Sequence, residues 1–371
     1  MEYHVFECCR TINGFNRSVI YDLGRKEFNF VPNALANFLQ NDCLVLNEQT
    51  TAPETNEYLE FLLRKEYVYE AESAYLQQGF SKLNLEWDCP SHIENTIISL
   101  RKDKEHSELL SSSIDCLKGL NCFHVQLRMV GSFNQDNIVS LIKQFEYSSV
   151  NTIELLFEYN GCDMEFLKTL CEDFLRIQTV VVYNAPERKV RNFGTDSLGN
   201  IVLVQIGLDE LLQSGVQDYQ FAVNMPMFTE AQQHHTYFNR KLYIGSNGEL
   251  KNAPECEESF GNINNLSDAT QLKELVATPA FQQYWFVRKD ECDVCKDCEF
   301  RYMCTDNRLP HQRTDGSWYH KQECNYNPYI SKWKGEEGYR TLAESGIVSN
   351  ADGFSIDTEK VAALNTSLWG E

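Results

Sequence analysis

Residues 123–183 read FHVQLRMVGSFNQDNIVSLIKQFEYSSVNTIELLFEYNGCDMEFLKTLCEDFLRIQTVVVY, and their rhythm decides the fold. Three β-rich runs, Phe123–Met129, Thr152–Phe157 and Thr179–Tyr183, alternate with helical patterns over Asn134–Phe145 and Met164–Leu175. Asn134 is a residue type that caps helix N-termini by accepting from a free backbone N–H. Working outward, Ile93–Leu100 and Ile201–Ile206 add a β-rich run on either side, and Ser107–Leu120 adds a helix. Strands separated by helices of this length pair in parallel, with the helices packed outside. The stretch therefore predicts an α/β fold, either a partial (β/α) barrel or a doubly wound sheet. No Gly-rich phosphate loop follows any of these strands, so nucleotide hydrolysis is not expected.

Upstream, residues 15–30 (FNRSVIYDLGRKEFNF) read as a hairpin around Leu23-Gly24-Arg25. Pro32 then opens a short helix with Ala34, Leu35, Phe38 and Leu39 on its apolar face. Asn56–Leu63 reads as a second helix and Tyr67–Tyr69 as a returning strand.

The chain has 371 residues, 42% hydrophobic and 23% charged, which is a globular composition that excludes wholesale disorder. Its 33 Lys+Arg against 54 Asp+Glu give a net charge of −21, so a nucleic-acid partner is not expected: nothing would drive counterion release. A basic peptide or protein partner would be steered toward such a surface. The first residues, MEYHVFECCRTINGFNR, hold no signal-peptide pattern, and the longest apolar run, Ile201–Leu208, is far short of the ~20 residues that span a bilayer. A cytoplasmic protein without membrane attachment is expected.

Fourteen cysteines in such a chain are better read as metal ligands than as disulfides. Five of them form one group: Cys292-x2-Cys295-x2-Cys298-x5-Cys304 within Glu291–Arg308 (ECDVCKDCEFRYMCTDNR), followed by Cys324 with nineteen residues between. Thiolates two residues apart close on one metal ion or cluster corner from a tight turn, and a distant ligand ties the loop back. Zinc and iron–sulfur satisfy this spacing equally.

The run Cys295-x2-Cys298-x5-Cys304 with Cys324, preceded by Gly248 in SNGELKNAPEC and by Ser259–Ile263, resembles the SPASM domain that follows the barrel in radical-SAM peptide maturases. The resemblance covers about Asn239 to Trp333. It implies that Cys295, Cys298, Cys304 and Cys324 hold an auxiliary four-iron four-sulfur (4Fe-4S) cluster, with zinc as the alternative. It also favours the partial barrel over the doubly wound sheet. Two departures stand out. A full SPASM domain has a further cysteine where this chain has Arg308, and none lies around His234, His235 and Lys241. Cys256, Cys292 and His235 are candidates for an irregular second site. The Cys-x3-Cys-x2-Cys triplet that radical-SAM chemistry requires occurs nowhere, so the barrel is degenerate and cleavage of S-adenosylmethionine is not expected. His124, Arg128 and Glu154 are polar candidates on its strands.

Arg17–Leu23, Pro90–Ser99, His235–Lys241 and CEFRYMCTDNR together resemble the SPASM-domain peptide maturases of grasp-with-SPASM systems. That resemblance implies partnership with an ATP-grasp ligase and a precursor peptide, in the maturation of a ribosomally synthesised, post-translationally modified peptide. The domains expected are a winged-helix-like precursor-recognition domain over 1–75, the degenerate barrel over 89–230, a SPASM-type domain over 235–335 and a tail over 336–371. The function expected is that of a non-catalytic factor that binds the precursor and presents it to the ligase. The alternatives are a zinc-stabilised interaction module and an enzyme with uncharacterised chemistry at the cluster.

Overall fold

A computed structural model describes residues 2–39, 43–45, 53–70, 80–193, 199–213, 215, 221 and 223–370. Residues 1, 40–42, 46–52 and 71–75 of the expected N-terminal domain lie outside the described residues. The chain forms two compact units, each assembled from separated stretches: Met1–Trp87 with Val216–Thr236 and Val287–Glu371, and Asp88–Gly215 with Tyr237–Phe286.

In the first unit, β1 (Glu2–Val5) is followed by β2 (Cys9–Asn13), β3 (Ser18–Asp22), β4 (Glu27–Val31), β5 (Cys43–Val45) and β6 (Val68–Glu70). They form two antiparallel sheets, in the orders β2-β3-β4 and β5-β1-β6. The expected hairpin is β3 and β4. Its turn closes because Asp22 Oδ1 accepts from the backbone N–H groups of Gly24 (3.0 Å) and Arg25 (2.8 Å). Pro32 precedes the helix Asn33–Phe38 as its N-cap, one place earlier than the first turn. Every residue of β3 is buried, because its two faces serve different clusters. Ile20 packs with Tyr3, Leu35, Leu62 and Val68, while Val19 and Tyr21 pack with Phe228, Phe300, Met303 and Tyr326. The hairpin is thus built against the cysteine-rich segment. The C-terminal helix Thr358–Trp369, capped by Asp357, joins Val361 to a cluster with Val294, Tyr329 and Ile347.

The second unit carries a mostly parallel eight-stranded sheet. Its strands are β7 (Asn95–Arg101), β8 (His124–Val130), β9 (Thr152–Glu158), β10 (Ile177–Tyr183), β11 (Lys189–Phe193), β12 (Gly199–Leu203), β13 (Lys241–Ile244) and β14 (Leu250–Lys251). The order is β11-β12-β10-β9-β8-β7-β13-β14, parallel from β12 to β13 and antiparallel at the two outer pairs. Alternation along the strands separates two faces. Ile98, Leu100, Val125, Leu127, Ile153, Leu155, Val180 and Leu242 form one core with the helices Ser107–Gly119, Gln135–Lys143, Met164–Asp173 and Ala269–Val276. Each fully buried Leu or Ile there contributes roughly 1.5–3 kcal/mol. Asn134, Asp163 and Asp268 cap three of these helices through their side-chain oxygens. Gly119 lets the first helix approach the last, since a Cβ there would lie 2.4 Å from Ala269 Cβ. The opposite face presents polar side chains, among them Asn95, His124, Gln126, Arg128, Glu154 and Lys241.

Candidate metal centre

The cysteine-rich segment follows a short 3₁₀ turn, Lys289–Glu291. Cys292 is fully buried and bridges to Trp318. Asp293 and Cys295 are then joined by a bond from the Cys295 N–H to the Asp293 carbonyl (2.7 Å), a γ-turn that forces Val294 to φ +67°. A β-branched residue at positive φ is strained, and burial of Val294 among Tyr329, Ile347 and Val361 holds it there. The turn sends Cys295 into a second 3₁₀ turn, Cys295–Asp297, closed by the Cys298 N–H donating to the Cys295 carbonyl (3.0 Å). Thr236 Oγ1 donates to the Cys304 carbonyl (2.5 Å), fixing the third cysteine from another stretch of the same unit. One cavity is lined by Cys295, Cys298, Cys304 and Cys324, together with Lys289, Asp306, Arg308, Phe300 and Tyr326. The structure thus brings together all four residues that the SPASM resemblance implies as ligands, and all four are free thiols.

Burial pushes the thiols of Cys295, Cys298 and Cys304 up, that of Cys298 strongly, while Lys289 opposes the rise at Cys295 and Cys304. A metal bound there would displace those protons, coupling its uptake to proton release. Behind the thiols lies a buried charge network that sequence reading did not find. Lys289 Nζ lies 3.2 Å from Asp306 Oδ2 and 3.3 Å from His235 Nε2. Arg308 clasps Asp306 with Nε (2.9 and 3.0 Å) and Nη2 (2.7 Å), and its Nη2 also reaches Cys295 Sγ at 3.7 Å. Burial alone would raise Asp306, but Arg308 and Lys289 outweigh it and hold the carboxyl well below its usual range. Burial lowers His235 strongly and His320 to about 3, so both are neutral.

A second network ties the hairpin to the same loop. Glu299, its side chain fully buried, accepts from Arg17 Nε (2.7 Å) and the Tyr326 hydroxyl (2.5 Å). Tyr21 donates to the Glu299 carbonyl at 2.5 Å, and the Arg17 guanidinium stacks 3.5 Å over the Phe30 ring.

Donor chemistry and spacing bear on which metal fits. In a tetrahedral zinc site with thiolates about 2.3 Å from the metal, the sulfurs stand about 3.8 Å apart. Among the described residues, two groups of three candidate ligands lie within 4.8 Å of one another: Cys295 with Asp306 and His320, and Cys8 with Cys9 and Asp22. No three of the four lining cysteines form such a group. In the Cys8–Cys9–Asp22 group the carboxylate is already taken by Gly24, Arg25 and an ion pair to the Arg25 guanidinium at 3.3 Å.

The other candidates are dispersed. Cys292 and His235 belong to the first unit and flank Lys289, whereas Cys256 belongs to the second, where burial raises its thiol to about 11. On the polar face of the sheet, Gln126 Nε2 donates to Glu154 Oε2 (2.8 Å) and accepts from Arg128, and His124 Nδ1 meets Thr152 Oγ1 at 2.5 Å. Lys241 donates to Asn95 Oδ1 at 2.6 Å. Tyr237 donates to both oxygens of Glu255. The Gln126–Glu154, His124–Thr152 and Lys241–Asn95 pairs join neighbouring strands. Among the described residues, no helix is long and apolar enough to cross a membrane.

No family model matches the chain, and no curated protein matches it. Among solved structures, the chain is similar to the crystal structure of Streptococcus suis SuiB bound to S-adenosylmethionine, at 11% identity and a TM-score of 0.26, covering 82% of this chain and 94% of that one.

Proposed function

We propose that the protein is a peptide-maturation factor that holds an iron–sulfur cluster on Cys295, Cys298, Cys304 and Cys324, binds a ribosomally made precursor through its N-terminal region, and presents it to an ATP-grasp ligase. The observation that carries the reading is the convergence of those four cysteines on one cavity. A bound cluster would supply a rigid cross-link between the loop and Cys324. The chain's own residues supply its electrostatic surroundings and the dock for the hairpin.

Two further features support the reading. Among the described residues, β4 pairs with β3 alone, so its other edge offers main-chain groups to an added strand. Beside that edge runs a groove lined by Phe28, Phe30, Phe221, Phe300, Trp333 and Trp369, apolar seats for alternate side chains of an extended peptide. In the second unit, strands β7, β8, β9, β10 and β12 neighbour one another in chain order with the helices on one face, the arrangement of a barrel segment. Arg101, at the end of β7, leads into Lys102–Glu105 without a cysteine, and that favours a positional role over radical chemistry.

Co-expression of the precursor with the ligase, with and without this protein, tests the function. Crosslinked precursor, seen as the mass loss of condensed water, should form efficiently only when the protein is present, and equal yields without it would refute the role. A zinc centre has one specific point in its favour, the close grouping of Cys295, Asp306 and His320. Metal analysis of anaerobically prepared protein separates the two.

A further inference from the structure

The groups behind the four cysteines are unbalanced in charge. Lys289 and Asp306 have side chains 2% and 1% exposed, and Arg308 is 10% exposed. Two cations therefore share one carboxylate in a region closed to water. The neighbouring charges are satisfied elsewhere: Arg301 pairs with Asp290 at 3.1 Å, Glu299 with Arg17, and Asp293 with Arg313 at 2.6 Å. His235 and His320 add no negative charge. A buried excess of one positive charge is costly unless an anion stands beside it. The atom that Arg308 reaches beyond Asp306 is Cys295 Sγ, and Lys289 lines the same cavity as Cys295 and Cys304.

We infer that Arg308 and Lys289 are the built-in counter-charge of a polyanionic thiolate centre, and that Arg308, through its contact with Cys295 Sγ, raises the reduction potential of that centre. The inference rests on the reading of the four cysteines as cluster ligands. One electron from an external low-potential reductant adds one negative charge to the centre, with no bond made or broken and no proton moved. A fixed cation and a donor on a ligand sulfur stabilise that added charge, since hydrogen bonds to the sulfurs and net charge set cluster potentials. Arg308 is thus a positioning and tuning residue, held in register by the three contacts to Asp306 and by donation from Nη1 to the Gln322 carbonyl at 2.7 Å.

The test uses the full chain, prepared anaerobically as wild type, Arg308→Lys and Arg308→Gln. Iron and sulfide per chain are measured, and the midpoint potential is read by a mediated dithionite titration followed by electron paramagnetic resonance. Arg308→Gln is expected to keep its iron and move to a lower potential, with Arg308→Lys between it and wild type. Loss of iron from Arg308→Gln with retention in Arg308→Lys is also the behaviour of a counter-charge. Unchanged potential at unchanged iron in Arg308→Gln would overturn the inference while leaving the cluster standing, as would equal loss of iron from both variants. Wild-type protein without iron would instead overturn the cluster reading on which the inference rests.

Discussion

Replacing Arg17 by alanine tests whether the N-terminal hairpin is locked to the cysteine-rich loop by a buried charge. Glu299 has no exposed side-chain surface, and its ion pair with Arg17 spans 282 residues of sequence. Burial raises the Glu299 carboxyl, and Arg17 and the Tyr326 hydroxyl pull it back. Removing one partner of a buried pair costs about 3–5 kcal/mol, because the other charge is left without compensation. Arg17 is 24% exposed, which discounts its contribution for solvent screening, so the lower end, about 3 kcal/mol, is expected near pH 8. Glu299→Gln keeps an acceptor for Tyr326 and leaves Arg17 able to turn to water, so it should cost only about 1 kcal/mol. In Arg17→Ala the folded-state carboxyl rises far above its unfolded value. Its contribution is then present at low pH and lost as pH climbs toward the folded value, so the penalty should shrink between pH 8 and pH 5. The double variant should be more stable than Arg17→Ala alone, with a coupling of about 1–3 kcal/mol. Urea unfolding of metal-loaded protein at both pH values supplies these numbers. A penalty below about 0.5 kcal/mol, or one that does not vary with pH, would refute the argument that Glu299 is a buried, paired carboxylate.

Four other outcomes are expected. Cys298→Ala should lose most of its metal and melt earlier, because metal binding at such a site is coupled to folding; full iron and sulfide retention would remove Cys298 from the ligand set. His106 is buried with Nδ1 lacking a partner, its Nε2 bonded to the Arg101 carbonyl, and burial lowers its pKa. Its stability contribution is therefore present above the unfolded value near 6.5 and lost as pH falls below it, so His106→Gln should flatten acid destabilisation in a pH series of thermal melts. Gly248 sits at φ +81°, where a Cβ would lie 2.6 Å from Asn262 Oδ1, so Gly248→Ala should cost about 1–2 kcal/mol, measured by urea unfolding. Reduced, iron-reconstituted protein given S-adenosylmethionine and precursor should release no 5′-deoxyadenosine above background by chromatography.

The parts of the fold that sequence reading reached are those with a local period. The alternation between Ile93 and Ile206 became β7, β8, β9, β10 and β12 with their helices, and Asn134 caps its helix as its type suggests. The Leu23-Gly24-Arg25 signal became the β3–β4 turn because Asp22 closes it locally. What escaped depends on partners distant in sequence. Strand β13 inserts beside β7 from about 146 residues away, and four residues of KLYI carry no mark of that neighbour. Spacing alone marks the five-cysteine group, since two-residue intervals constrain a turn whatever surrounds it; the choice of Cys295, Cys298, Cys304 and Cys324 within it rests on the SPASM resemblance. Lys289, Asp306 and His320 stand singly in the sequence, and only burial against one another reveals them as a network. Arg308 was noticed as the place of an absent cysteine, but its contact with Cys295 emerges only in three dimensions.

The central claim is that Cys295, Cys298, Cys304 and Cys324 jointly hold an iron–sulfur cluster. Iron, sulfide and zinc analysis of anaerobically purified wild-type protein, paired with its Mössbauer spectrum, tests it most directly. The account predicts about four iron and four sulfide per chain with the spectrum of a cuboidal cluster. One zinc and no iron, or a metal-free protein that is fully folded, would contradict it.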